Sequence, residues 1–452
     1  MLELFGARRR TIEWRRIWLE IARAQADLGL PIDRSALDRL EARIDEIDFG
    51  AIEVYEKTFR HDVMAHLHAF GDLEPAAKGS LHLGATSMDV SDNADLVIFR
   101  EALGLVRRRL AGVLSGLADF ARRWRDRPVL GRTHLQPAQP TTLGKRASLW
   151  AYDLVLDLRE VEAVAASLRF RGIQGTTGTQ DSFLALFDGD AAKVAELDRR
   201  VRTAFSFEAS YSVTGQTYPR KVDSRILAAL SGVGQSASKF AGDLRILAML
   251  GEVCEPIEAG QVGSSAMAYK KNPVRCERMN ALARHLIALE ADGAWTAAEQ
   301  RLERTLDDSA NRRISLPEAF LATDAILRLY GNVVRGLVVD ERAIDEALDR
   351  HLPFLATERI LMAASRAGGD RQALHERIRV HSRQVAEPAE LLPRLSADAA
   401  FAAVAGRIPT FADARALVGL APAQVDRFLA EEVEPALAGF DPADLADWEL
   451  KV

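Results

Sequence analysis

The chain has 452 residues, of which 48% are hydrophobic and 27% charged, and its formal net charge is −6. This length exceeds what one compact core holds and predicts two or three domains, while the composition excludes a disordered chain. The acidic balance argues against a general nucleic-acid-binding protein, which needs cations to neutralise phosphates. A local basic cluster that binds one small anion is still permitted.

Cysteine content and hydropathy indicate in which cellular compartment the protein is expected. The two cysteines, Cys254 and Cys276, have no metal-type spacing and form no disulfide framework. No run of eighteen apolar residues predicts a membrane span, and the charged start MLELFGARRR lacks the apolar core of a signal peptide. We therefore expect a cytoplasmic protein without a nucleic-acid or membrane partner.

The N-terminal part, to about residue 86, has the pattern of short helices. We expect one from Ile17 to Leu28, one from Arg34 to Ile44 and a third near residues 51–70. Longer helices are permitted further along, because four windows lack proline, which breaks helix interiors. These windows lie between Pro75 and Pro128, between Pro140 and Pro219, between Pro219 and Pro256, and between Pro273 and Pro317.

Two heptad seams of apolar residues fall inside these windows. The first consists of Leu96, Phe99, Leu103, Val106, Leu110, Val113, Leu117 and Phe120. The second consists of Ile226, Leu230, Val233, Ala237, Phe240, Leu244 and Leu247. Because a strict 3.5-residue repeat keeps one face toward a partner helix, we expect long helices packed nearly parallel in a bundle.

The C-terminal part, from about residue 340, is rich in alanine and predicted to be helical. Its helices are expected to break at Pro353, Pro388, Pro393 and Pro409. Neither terminal part alternates polar and apolar residues for long enough to predict a sheet. The sequence therefore predicts an all-α fold with an N-terminal helical domain (1–86), a central long-helix bundle (87–339) and a C-terminal helical domain (340–452).

Gly- and Thr-rich islands separate the predicted helices, at residues 84–93, 131–146, 172–182 and 259–273. Such islands favour loops, where a rigid bundle would place its chemistry. His134 is flanked by Thr, Gln and Arg, which suits proton transfer, although a capping or surface histidine is an alternative. The string GSSAMAYKKNP offers lysines and backbone N–H groups to a carboxylate, although an ordinary surface loop is also consistent with it.

Two further strings are candidates for ligand contact. RHDVMAHLH holds three histidines, but helical spacing leaves the middle one off the face that the other two share, which disfavours a metal site. His61 remains a candidate for substrate contact. RLERTLDDSANRR has side chains suited to a phosphate or carboxylate, unless it is a solvated helix end. The side chains in question are Arg304, Ser309 and Arg313.

Taken together, these strings resemble the fumarase/aspartase superfamily, whose loop consensus is Gly-Ser-Ser-x-Met-Pro-x-Lys-x-Asn. Within it the chain resembles the adenylosuccinate lyase family, especially its animal-type branch. The matching strings, in family order, are RHDVMAH, LGATSMDVSDNADL, THLQPAQPTTLGKR, GTTGTQDSFLALFDGD, GQTYPRKVD, SSAMAYKKNPVRCER and RTLDDSANRR. The resemblance spans residues 60–313, which is over half of the chain.

The resemblance implies a carbon–nitrogen lyase of purine nucleotide biosynthesis. Such an enzyme releases fumarate from adenylosuccinate, and from the succinyl-carboxamide imidazole ribotide SAICAR, by β-elimination, without cofactor or metal. It also implies three helical domains and a homotetramer with a twenty-helix core, in which three subunits build each active site. Assembly of this kind suits the heptad seams, which we expect to need partner subunits to bury them.

The family's functional residues are carried over at matching positions. His134 is then the general acid and Ser264 the general base. The implied substrate contacts are Arg60, His61, Asp62, Thr86, Ser87, Thr133, Gln216, Lys270, Asn272, Arg278, Arg304, Ser309 and Arg313. His61 is additionally expected to orient the acid.

Two departures from the family pattern leave questions open. Ala268 stands where the loop consensus has proline, which should loosen the open loop. The family also has an Arg-Tyr pair that contacts the substrate phosphate ahead of the first helix, and no such pair precedes Trp14. Either the start is truncated, or one of the arginines at positions 8–10 substitutes, or phosphate affinity is weaker.

Two alternatives to this activity remain. One is a related lyase with another leaving group, such as argininosuccinate or a dicarboxylate, against which the strings TTGTQ and DSANRR argue. The other is a helical scaffold that kept the fold without catalysis. The presence of His134, Ser264 and Lys270 argues against that alternative.

Overall fold

The computed structural model describes residues 1–258, 260–261, 263–267 and 269–441. It is 68% helical with few strands, which confirms the all-α prediction. Among the described residues, no helix combines the length and the apolar character needed to span a bilayer.

Five helices form the N-terminal part: α1 (Ala7–Asp27), α2 (Arg34–Glu41), α3 (Phe49–Phe59), α4 (Asp62–Gly71) and α5 (Pro75–Lys78). The single helix expected near residues 51–70 is wrong, because the segment forms two helices. The break lies at Arg60, which ends α3 in the left-handed conformation with a φ of 53°. His61 then begins α4 by accepting a hydrogen bond from the backbone N–H of Met64.

The central part contains the long helices that the proline-free windows permit. In chain order the helices are α6 (Ser87–Arg123), α7 (Leu143–Ser167), α8 (Asp181–Leu186), α9 (Ala191–Ala204), α10 (Lys221–Met249), α11 (Val274–Glu299) and α12 (Asp308–Arg335). Helix α12 continues through Pro317, so that proline does not end a helix as expected. The five longest have between 25 and 37 residues.

Both heptad seams lie where the sequence predicts them, the first on α6 and the second on α10. Every seam residue is buried within the single chain, with Phe120 the most exposed at 8%. The expectation that the seams need partner subunits is therefore wrong. Neighbouring side chains of the same chain bury them, as in the stacked contact of Phe240 with Tyr330.

A β-hairpin occupies the island expected to be a loop. Strand β1 (Pro128–Thr133) pairs antiparallel with β2 (Gln136–Thr142). The second strand is not evident from the sequence, because it contains two prolines, and proline cannot donate a hydrogen bond to a neighbouring strand. The register shifts at Gly131, where an added Cβ would overlap the carbonyl oxygen of Gln139. A second short pair joins β3 (Val253–Cys254) to β4 (Val338–Val339).

The C-terminal part is helical, as expected, with α13 (Glu341–Leu355), α14 (Thr357–Arg366), α15 (Arg371–Gln384), α16 (Leu391–Ala397), α17 (Ala414–Leu417), α18 (Ala421–Phe428) and α19 (Glu434–Leu437). Short 3₁₀ segments at Pro388–Glu390, Ala399–Phe401 and Ala405–Phe411 and a π segment at Leu429–Val433 complete it. Pro353 and Pro393 lie inside α13 and α16, so the breaks expected there are wrong. Ile360, Leu391 and Phe401 are fully buried in the core of this part.

The chain divides into two compact units. Unit 1 comprises Met1–Arg107, Arg159–Gly234 and Ala283–Ala325, and unit 2 comprises Arg108–Leu158, Gln235–Leu282 and the chain from Ile326 onward. The division falls within each of the five longest helices. The three-domain boundaries at residues 86 and 339 remain a prediction.

Candidate active site

Unit 1 contains a cavity of about 130 Å³ that suits an anion. All three residues expected in the RTLDDSANRR string line it, namely Arg304, Ser309 and Arg313. Arg10 and Trp14, from the first helix, line it as well. The cavity therefore gathers guanidinium groups and a hydroxyl, which are donors that match phosphate and carboxylate oxygens.

A buried ion-pair network underlies this cavity. The Arg220 guanidinium donates to both carboxylate oxygens of Asp92, at 3.0 and 3.2 Å, and to Asp308 at 2.6 Å. Asp308 also accepts from Arg304 at 2.7 Å, so one buried carboxylate orients an arginine of the cavity. Burial lowers the pKa of Arg220, but Asp92 together with Tyr218 and Asp223 outweighs burial, and the net pKa is raised. Arg220 is thus held as a cation.

The network continues through Arg312, which is 8% exposed. Its guanidinium donates to Asp223 at 2.5 Å, to the Tyr218 hydroxyl at 2.5 Å and to Asp95 at 3.3 Å. The strings SDNAD, YPRKVD and DDSANRR contained these residues, but spacing alone could not show that they meet. Sequence reasoning missed the whole network because its members come from distant segments.

Several predicted substrate contacts meet in unit 1. The Ser87 hydroxyl lies 3.4 Å from Nε2 of His61. The Arg313 guanidinium donates to Asp62 at 2.9 Å. The Gln216 side-chain amide lies 3.5 Å from the Thr86 hydroxyl, to which it donates. Arg60, in contrast, is an exposed helix cap.

The fully buried Asp89 carboxylate holds the segment that carries Thr86. Asp89 accepts from the backbone N–H of Thr86 at 2.8 Å and of Gln174 at 2.8 Å, and it forms a buried ion pair with Arg171. Arg171 also donates to the carbonyl oxygen of Gly215 at 3.2 Å. The pair thus ties three loops together beside the predicted substrate contacts, and sequence analysis did not single it out.

In unit 2, His134 lies at the tip of the β1–β2 hairpin. His134 and Leu135 form the two-residue turn, and both have left-handed φ values, of 53° and 60°. Left-handed backbone costs roughly 1–2 kcal/mol per residue for side chains other than glycine, and such strain recurs at functional sites. Two residues before His134, Arg132 anchors the hairpin by donating to the buried Glu252 at 3.3 Å.

The loop of unit 2 that carries Ser264 has a compact backbone. The Ser264 hydroxyl oxygen accepts from the N–H of Met267 at 3.1 Å and of Ala266 at 3.4 Å. The Asn272 side chain donates to the carbonyl oxygen of Gly263 at 2.9 Å. A Cβ added at Gly263 would overlap the Lys270 carbonyl oxygen, so only glycine fits there. Ala268, where the loop departs from the consensus, lies outside the described residues.

The remaining predicted contacts of unit 2 are exposed. Thr133, His134, Lys270 and Arg278 all present their side chains to solvent. In the part of the chain that the structure describes, no hydrogen bond links the hairpin tip to the Ser264 loop. The roles of these residues therefore remain predictions.

The three histidines of the RHDVMAHLH string lie in three different environments. His66 is buried, and burial lowers its pKa to about 4, so it is neutral at physiological pH. Its ring packs against Trp14 with a centroid distance of 5.0 Å. His68 packs against Phe59 at 4.6 Å, and His61 approaches Ser87 as described above.

Comparison with known proteins identifies relatives along most of the chain. A family model described as "Lyase" matches residues 11–287, and one described as "Adenylosuccinate lyase C-terminus" matches residues 353–428. Adenylosuccinate lyases of Saccharomyces cerevisiae and Schizosaccharomyces pombe are each 46% identical, with alignments covering 97% of this chain and 93% of the relative.

A solved structure also aligns with most of the chain. The crystal structure of a fumarate lyase from Mesorhizobium sp. BNC1 aligns with a TM-score of 0.83 and 25% identity, covering 95% of this chain and 97% of that one. Together with the sequence relatives, this match confirms the resemblance that the motifs indicate. The chain belongs to the adenylosuccinate lyase family of the fumarase/aspartase superfamily.

Proposed function

We propose that the chain catalyses β-elimination of fumarate from adenylosuccinate, giving AMP, and from SAICAR, giving AICAR. The observation that carries the proposal is the anion cavity, in which Arg304, Ser309 and Arg313 converge. Both substrates carry a phosphate monoester, which guanidinium groups bind with two parallel hydrogen bonds. Family membership over nearly the whole chain supports the same activity.

Elimination requires a base and an acid. The base removes a proton from the carbon next to a carboxylate, which places a second negative charge on that carboxylate. The carbon–nitrogen bond then breaks, and the acid gives a proton to the leaving nitrogen. We assign the base to Ser264 and the acid to His134, since imidazole exchanges protons near neutral pH.

The Ser264 loop supports this assignment through its hydrogen bonds. A serine hydroxyl is a weak base unless its environment favours the alkoxide. The N–H groups of Met267 and Ala266 already point at the Ser264 oxygen, and hydrogen bonds to a charged form stabilise that form. We propose that the exposed Lys270 adds its positive charge when substrate closes the loop.

The intermediate also needs donors. Preorganised hydrogen bonds to a developing oxyanion are each worth roughly 3 kcal/mol in known sites. We propose that Lys270, Asn272 and the backbone amides of residues 263–265 supply them. Loop closure is tested by hydrogen exchange of residues 259–273 with and without AMP and fumarate. Slower exchange with the products is expected, whereas unchanged exchange would count against closure.

We further propose that the chain works in the cytoplasm as a homotetramer whose active sites each take residues from three subunits. Exposed apolar side chains on α7 support association, since Leu149, Tyr152 and Leu156 are 56%, 41% and 51% exposed. Sedimentation equilibrium should give four times the chain mass. Mixing Ser264→Ala and His134→Ala chains should restore part of the activity if the two residues of one site come from different subunits.

The test of the activity is fumarate release from a panel of succinyl compounds. Purified chain is expected to release fumarate from adenylosuccinate and SAICAR and not from argininosuccinate. Release from argininosuccinate alone would indicate a related lyase with another leaving group. No release from any of them, by a correctly folded chain, would favour a scaffold without catalysis.

A further inference from the structure

Three consecutive arginines follow Ala7 in the first turn of α1, and they face three different surroundings. Arg8 is 59% exposed and donates to the carboxylate and carbonyl oxygens of Asp45, at 3.4 and 3.0 Å. Arg9 forms ion pairs with Glu13 at 2.9 Å and with Glu101 at 2.7 Å. Both guanidinium groups are therefore already engaged with carboxylates.

Arg10 lines the anion cavity instead. It lies one helical turn before Trp14, which also lines the cavity, and its guanidinium carbon is 5.4 Å from the Trp14 ring centroid. Its Nε atom is buried without a hydrogen-bond partner among the described residues. A buried donor without a partner loses free energy unless a ligand satisfies it.

Arg10 differs from the other charged residues that line the cavity in its ion pairing. The carboxylates Asp92, Asp95 and Asp308 line it, and each accepts from an arginine of the buried network. The other lining arginines have carboxylate partners, as Arg304 has Asp308 and Arg313 has Asp62. Across the described ranges, Arg10 has no ion-pair partner. It is thus a cation of this cavity whose charge is not already compensated.

We propose that Arg10 binds the phosphate monoester of the substrate, beside Arg304 and Arg313. The inference rests on the proposed function, because it assumes a nucleotide substrate. A phosphate monoester carries between one and two negative charges near neutral pH, and three guanidinium groups around it provide matching charge.

The test compares Arg10→Gln with Arg8→Gln, which removes the same charge two residues away on the same helix. For adenylosuccinate, Arg10→Gln is expected to raise KM roughly ten- to hundred-fold, the size of a lost charged hydrogen bond. Arg8→Gln should change KM by no more than about twofold, since its ion pair is exposed. Arg10→Lys should fall between, because an ammonium keeps the charge without the planar fork.

The same variants are then assayed with the nucleoside that lacks the phosphate. Arg10→Gln is expected to leave the KM and kcat for this substrate unchanged. An equal rise in KM for both substrates would show that Arg10 acts through the fold, and an equal effect of Arg8→Gln would show only long-range charge. Either result overturns the proposal.

Calorimetric titration with inorganic phosphate separates this inference from the proposed activity. If the unaltered chain does not turn over adenylosuccinate, the proposed function fails, but Arg10→Gln should still weaken phosphate binding while Arg8→Gln does not. Equal phosphate binding by both variants, or no phosphate binding by the unaltered chain, overturns the role of Arg10.

Discussion

The anion cavity of unit 1 and the Ser264 loop of unit 2 are built in opposite ways. Under the cavity, Arg220, Asp92 and Asp308 are each no more than 3% exposed, and every carboxylate has its cation. The loop has an exposed Lys270, and among the described residues its Ser264 side chain bonds only to neighbouring backbone. Rigid side chains on helices suit the binding of an unchanging phosphate, whereas an exposed loop suits closure over the atoms that react.

Buried carboxylates also differ between the two units. Asp92 in unit 1 accepts from Arg220 through both oxygens. Asp157 in unit 2 is 9% exposed, one of its oxygens has no partner among the described residues, and Asp153 is close by. Burial raises the pKa of Asp157 to about 7. Burial acts to raise the pKa of both carboxylates, but Arg220 and Arg312 outweigh it at Asp92, whose pKa is lowered, whereas no cation offsets it at Asp157.

The largest expected effect concerns the loop. Ser264→Ala should lower kcat for fumarate release roughly 10³-fold, because no base then takes the proton from carbon. Ser265→Ala is the matched control, since its backbone N–H remains, and it should keep most of the activity. Steady-state assays of both variants, with circular dichroism to confirm folding, decide the matter. Equal losses would mean that the loop backbone, and not the Ser264 hydroxyl, matters.

Breaking the buried ion-pair network should lower the free energy of unfolding. Asp92→Asn leaves the Arg220 guanidinium partly uncompensated, and breaking a buried pair in this way costs roughly 3–5 kcal/mol. The midpoint of urea unfolding should fall accordingly. Glu196→Gln breaks the exposed pairs with Arg199 and Arg200 and should hardly move that midpoint. Similar shifts for both variants would contradict the view that the cavity rests on a rigid buried base.

Unlike Asp92→Asn, Asp157→Asn should raise the free energy of unfolding, and the size of this gain should depend on pH. The unfolded carboxyl loses its proton near pH 4, but the folded one keeps it until about pH 7. The folded state thus binds more protons in this window, and the free energy of unfolding falls as pH rises through it. The variant removes this loss, so it should gain stability at pH 8, by at most about 4 kcal/mol, and much less at pH 5. An equal gain at both pH values, in urea unfolding, would exclude titration of Asp157 as the cause.

The smallest expected effect tests the shape of the loop. Gly263→Ala should push the loop away from the Lys270 carbonyl oxygen and lower kcat roughly tenfold, with little change in the unfolding midpoint. Gly260→Ala meets no atom within 4 Å and only suffers a left-handed φ of 83°, so its kcat should fall less. A larger loss for Gly260→Ala would mean that backbone strain, and not close packing, sets the loop geometry.

Much of the fold was predictable from the sequence, because helical periodicity is a local signal. The seams of α6 and α10 follow directly from spacing, and both are buried as such spacing predicts. The β1–β2 hairpin was not predictable, since Pro137 and Pro140 disguise its second strand. Helix α12 was also obscured, because it runs through Pro317.

The candidate site was predictable only in part. Motifs place Arg304, Ser309 and Arg313 together, and the structure gathers them in one cavity. The pairing of Asp89 with Arg171 joins residues 82 positions apart, which no local pattern encodes. The same limit applies to Arg10, whose two arginine neighbours look equivalent to it until the helix assigns each one a direction.

The central claim is that His134 and Ser264 act as one acid–base unit. Its most direct test is the rate of fumarate release from adenylosuccinate by His134→Ala, by Ser264→Ala and by the chain carrying both changes. Groups that act as a unit are strongly non-additive, so each single change should cost roughly 10³-fold and the double change only a few-fold more. Losses that multiply in the double variant, or a single variant with the unaltered rate, would contradict the account.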